Sequence, residues 1–156
     1  MGISRTSALK CVRAAAVAAA MAGVVSVAGP ASTASAGASC NNGCSQTWND
    51  SGTGFYALKN WCKSGGGNGS WTTKKPTCGP DQKRDYLYPG DRTKGTQDWD
   101  VFQVDGGFCY DVDFEVTPPW GNDFHKAFDR RGKSTIWVKV ANSGFAKVRD
   151  VSSKHC

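Results

Sequence analysis

The stretch Asp98-Trp-Asp-Val-Phe-Gln-Val-Asp-Gly-Gly-Phe-Cys-Tyr-Asp-Val-Asp-Phe-Glu-Val116 decides the reading of this chain. Two alternating runs flank Gly106-Gly107, the signature of two strands joined by a tight turn. Folded there as a hairpin, Trp99 faces Phe114, Val101 faces Val112 and Gln103 faces Tyr110 on a core side. Asp98 then faces Glu115, Asp100 faces Asp113 and Phe102 faces Asp111 on the other side. Like charges opposed across a ladder destabilise it, so cations are expected close by.

A second alternating pair supplies them. Ser134–Val140 and Phe145–Val151 flank Asn142-Ser143-Gly144. Ile136, Val138 and Val140 share one face, with Trp137 and Lys139 on the other. Ala146 and Val148 alternate with Lys147 and Arg149. If this pair lies beside the first, Lys139, Lys147 and Arg149 answer the carboxylates. Residues 54–62, 70–73 and 85–88 add three more short strands, and Ser39–Asp50 reads as irregular. One helix is expected over Asp123–Arg131, with Phe124, Ala127 and Phe128 on one face and Gly132 as its stop. The expected fold is all-β: a small disulfide-stabilised sandwich, or partly open barrel, with one short helix.

Two segments divide the chain. Residues 1–38 read as a secretory signal peptide: Arg5, Lys10 and Arg13, then the apolar run Ala14–Ala28, then Ala34-Ser-Ala36. The Ala-rich run resembles export signals of actinomycete bacteria. It is too short to span a bilayer. Residues 39–156 form a single cysteine-rich domain, expected to be secreted and monomeric. It keeps Cys40, Cys44, Cys62, Cys78, Cys109 and Cys156, an even set that implies up to three disulfides in an oxidising compartment. A bridge such as Cys62–Cys78 would stabilise by roughly 3 kcal/mol. Residues 98–123 hold seven acids and no Lys or Arg, and residues 124–156 hold eight Lys and Arg. There is no basic run, so nucleic acid is not an expected partner.

Four constellations bear on chemistry. The carboxylates read first as internally neutralised and second as a calcium site, with Asp98, Asp100 and Asp113 as oxygen ligands. Calcium is the one cofactor they suggest. The two histidines, His125 and His155, read as surface residues, His125 paired with Asp129 on the helix; no catalytic set is assigned. The third constellation is aromatic: Trp71, Tyr86, Tyr88, Trp120 and Trp137 are candidate exposed rings, whereas Trp61 and Trp99 are expected in the core. Flat rings on a rigid sheet stack on sugars, and this architecture resembles that of carbohydrate-binding modules. The fourth is the loop Lys74-Lys75-Pro76-Thr77, anchored by Cys78 and stiffened by proline, the manner in which protease inhibitors present a loop. The leading expectation is therefore an exported, non-enzymatic binding protein that recognises an extracellular or envelope polysaccharide through exposed aromatics. The alternatives are a secreted protease inhibitor, whose partner is an extracellular protein, and an antimicrobial or toxin-like protein.

Overall fold

The structure is a computed structural model that describes residues 43–119 and 121–156. The signal-peptide assignment, Cys40 and Trp120 lie outside the described residues. Among the described residues nine strands run in chain order: β1 Gln46–Asn49, β2 Phe55–Leu58, β3 Trp71–Thr72, β4 Arg84–Leu87, β5 Val101–Val104, β6 Cys109–Val116, β7 Phe124–Asp129, β8 Ile136–Lys139 and β9 Gly144–Ser152. They form two sheets. The first has the order β1-β9-β6-β7 and the second β3-β8-β5-β2-β4. All pairs are antiparallel except β1 with β9.

One core holds the sheets together. Phe55, Ala57, Leu87, Phe102, Val104 and Val138 come from the second sheet, and Tyr110, Val112, Phe114, Phe128, Ala146 and Val148 from the first. Phe102 meets Phe114 and Phe128 at ring separations of 6.3 Å, and Phe55 meets Tyr110 at 5.8 Å. Each aromatic or aliphatic side chain so buried contributes on the order of 1.5–3 kcal/mol. The fold is an all-β sandwich.

The hairpins are not hairpins. β5 and β6 lie in different sheets, and so do β8 and β9. Each turn is an arch across the sandwich, and the two arches stack: β5 pairs with β8, and β6 with β9. The inner face of β5 is therefore Phe102 and Val104, not Val101 and Gln103. A hairpin and an arch show the same alternation, because both turn one face inward. They differ only in where the backbone hydrogen bonds go. Here Gly107 N–H donates to Arg130 O at 2.9 Å, and Gly106 N–H donates to Thr135 Oγ1 at 3.0 Å. A Cβ on Gly106 would lie 2.5 Å from Lys133 O, so only glycine permits this approach.

Two further segments depart from expectation. Residues 124–129 form β7, not a helix. Phe124 and Phe128 are four apart, a spacing that puts them on one face of a helix or of a strand. The open edge of β6 decides for strand. Residues 46–49 form β1 although its buried side chains, Thr47 and Asn49, are polar. Asn49 Nδ2 donates to Thr53 O and Leu87 O, each at 3.0 Å, and Thr47 N–H donates to Thr93 Oγ1 at 3.0 Å. Disulfides join Cys62 to Cys78 and Cys109 to Cys156, and Cys44 is also disulfide-bonded. No helix among the described residues is long and apolar enough to cross a membrane.

Candidate binding surface on the second sheet

The outward side chains of the second sheet follow from its register. Thr72 lies opposite Trp137, Trp137 opposite Gln103, Lys139 opposite Val101, Val101 opposite Leu58, and Tyr56 opposite Tyr86. Over the middle, the segment after β2 folds back. Trp61 packs with Leu58, Val101 and Trp137 in a second, smaller core. Its Nε1 donates to Gly65 O at 3.1 Å, and the Cys62–Cys78 bridge closes the segment.

The β2–β4 end carries a row of tyrosines. Tyr56 and Tyr86 are 4.8 Å apart, Tyr86 and Tyr88 5.0 Å, with interplanar angles of 70° and 77°. Arg84 caps the row, its guanidinium 4.3 Å from the Tyr56 ring centroid. Tyr86 is 38% exposed and Tyr88 65%. The Tyr86 ring lies against the Gly54 backbone; a Cβ there would sit 2.5 Å from its hydroxyl. The row thus combines ring faces and edges, phenolic donors and acceptors, and a fixed cation. A sugar offers the complement: an apolar face of C–H groups rimmed by hydroxyls.

Trp71 and Trp137 do not join it. Trp71 is 51% exposed, but β3 is the opposite edge of the sheet, four strand spacings or roughly 19 Å away. Trp71 pairs with Val138 on the core-facing side, with Arg130 5.7 Å from its ring. Trp137 is only 7% exposed, and Lys75 Nζ lies 5.6 Å from its centroid, so it is not an exposed ring. Its outward position in the strand was correct; the cover laid by residues 61–78 was not legible. Tyr56 was missed because Phe55-Tyr-Ala-Leu58 reads as a core run, and only the pairing with β4 sets it beside Tyr86.

The Lys74–Thr77 loop lies along the sheet. Pro76 is buried and its carbonyl accepts from Gln82 Nε2 at 3.2 Å. Lys74 and Thr77 are exposed, while Lys75 reaches back over Trp137.

The acidic set is divided between two places. Asp98 and Asp100 stay together around Ser45, whose hydroxyl lies 2.5 Å from Asp98 Oδ1 and 3.0 Å from Asp100 Oδ1. Burial, reinforced by the Asp98 charge, pushes the Asp100 carboxyl up to about 7. Asp113 sits on β6 in the first sheet, so the three proposed calcium ligands are not brought to one point. No group of three or more His, Cys, Asp or Glu able to hold a metal occurs among the described residues.

The cations do answer the first-sheet carboxylates. Lys147 Nζ is 2.6 Å from Glu115, and Arg149 bridges Asp113 at 2.8 Å and Asp50 at 3.0 Å. Lys139 does not join them; its Nζ donates to Gly65 O at 3.1 Å. His125 pairs with Asp111 at 2.6 Å and Asp113 at 2.9 Å, not with Asp129. The Asp113 hydrogen bond first, and the neighbouring carboxylate charges with it, raise the His125 pKa. At one end of the sandwich a shallow cavity of about 390 Å³ is lined by Asn68, Phe124, Asn142 and neighbours. Comparison with family models, curated proteins and solved structures found no match.

Proposed function

We propose that this protein is an exported binding module, without catalytic activity, that holds an extracellular or cell-envelope polysaccharide on the Tyr56–Tyr86–Tyr88 row. The observation that carries the reading is the row itself: three rings in successive contact, two of them open to solvent, on a rigid sheet face. Exposed tyrosines in a line are costly to leave uncovered and suit a linear ligand. Export is part of the proposal. The basic, apolar and small-residue order of residues 1–38 supports it, as do the disulfides, which persist in oxidising compartments.

Retention on insoluble chitin, cellulose and peptidoglycan tests it. The protein is expected to be held by at least one polymer, and Tyr86→Ala and Tyr88→Ala to be released from it with unchanged melting temperature. Trp71→Ala, at the far edge, should stay bound. Loss in Trp71→Ala with retention in both tyrosine variants would overturn the assignment.

A further inference from the structure

The two sheet faces treat charge differently. Every ion pair among the described residues joins groups on, or at the ends of, β1, β6, β7 and β9, the strands of the first sheet. On the outer face of the second sheet the cations rest on rings instead. Lys63 and Lys139 lie 6.0 and 5.9 Å from the Trp61 centroid, Lys75 5.6 Å from Trp137 and Arg84 4.3 Å from Tyr56. Their hydrogen-bond partners are neutral: Thr72 Oγ1 for Lys63 and Gly65 O for Lys139. None has a carboxylate within ion-pair distance among the described residues.

A ring face orients a cation but leaves its charge uncompensated. Four such charges run from β8 to β4, three strand spacings or about 14 Å, ending on the tyrosine row. Four cations with no facing carboxylate among the described residues bias this face towards anions, and their complement is a chain that repeats anionic groups between sugar rings. We propose that the glycan bound here is acidic: a uronate-type polysaccharide whose carboxylates meet Lys63, Lys75, Lys139 and Arg84 while its rings contact the tyrosines. This rests on the glycan-binding reading of the tyrosine row. Nucleic acid fits less well, because bases stack on open, similarly oriented ring faces, and neighbouring rings here stand 70° and 77° apart.

The test uses three soluble probes: polygalacturonate, its fully methyl-esterified form and polyuridylate. The ester keeps the sugar backbone and removes the charge. Polygalacturonate is expected to bind at least tenfold tighter than the ester. The slope of log K against log salt should fall by roughly 0.7 for each cation removed. Lys63→Gln/Lys75→Gln/Arg84→Gln should lose binding at least tenfold, and Lys63→Arg/Lys75→Arg should keep it, which separates charge from folding. Equal binding of the ester would overturn the acidic ligand and leave the tyrosine reading standing. Tighter binding of polyuridylate, or binding of none of the three, would also overturn it. Polygalacturonate binding that depends on the cations but survives Tyr86→Ala and Tyr88→Ala would sink the tyrosine reading alone.

Discussion

Replacing Asp100 with asparagine should remove most of the pH dependence of stability between pH 5 and 8. The Ser45 hydroxyl has one proton to give, yet it lies within hydrogen-bond distance of both Asp98 Oδ1 and Asp100 Oδ1. The Ser45 backbone N–H donates to Asp98 at 2.8 Å, and the Trp61 N–H reaches Asp100 Oδ2 at 3.4 Å. Those donors do not cancel the burial of Asp100 and the Asp98 charge, so its pKa stands near 7 against 3.8 in an open chain. Between these values the unfolded chain has released a proton that the folded chain keeps. The contribution of Asp100 to stability is therefore greatest below the unfolded pKa and is lost as pH rises through about 7. At about 1.4 kcal/mol per unit, the loss between pH 5 and 8 is on the order of 2–3 kcal/mol, a fall of roughly 10 °C in melting temperature for a domain of this size. Asparagine is neutral throughout, and its amide can donate where the protonated carboxyl does. Thermal melts of both proteins at half-unit pH steps make the comparison. His125, whose pKa is raised, also loses its proton, and with it the charge its carboxylate partners stabilise, as pH rises, so His125→Gln is run in parallel. A wild type with the same melting temperature at pH 5 and 8 would refute the argument. So would an Asp100→Asn protein that keeps the slope.

Three further outcomes are expected. Gly54→Ala places a methyl group against the Tyr86 ring, so it should displace that ring and weaken polymer retention several-fold with little change in melting temperature; both are read on one preparation. Gly106→Ala brings a Cβ within 2.5 Å of a backbone carbonyl between the two arches, so denaturant titration should show a loss of about 1–3 kcal/mol. Removing Cys109–Cys156 by paired serine substitution opens a link across 47 residues, and a chain-entropy estimate puts the cost at about 4 kcal/mol, again read by denaturant titration.

Much of the sandwich was legible in residue alternation. The inward faces of β6, β8 and β9 follow from Tyr110-Val112-Phe114, Ile136-Val138-Val140 and Ala146-Val148. Trp61 and Trp99 are buried as expected, and Lys147 and Arg149 meet the carboxylates they were assigned. Partner choice was not legible, because alternation reports which side is buried and says nothing of which strand lies alongside. That ambiguity turned two arches into hairpins, and it placed Asp98 and Asp100 opposite residues they do not face. β1 escaped notice because its buried side chains, Thr47 and Asn49, are polar, leaving no apolar pattern to read. At the candidate surface, Tyr86 and Tyr88 were visible as one strand face. Tyr56 and the cover over Trp137 were not, since both arise from contacts between segments distant in sequence.

Chemical-shift mapping reports whether ligand contacts the tyrosine row. An oligosaccharide cut from a polymer that retains the protein is titrated into isotope-labelled protein. The largest shifts are expected on residues 54–58 and 84–88, with the Tyr56, Tyr86 and Tyr88 ring signals among them. Shifts gathered instead on Asn68, Phe124 and Asn142 would place the ligand in the cavity at the end of the sandwich and contradict the tyrosine reading.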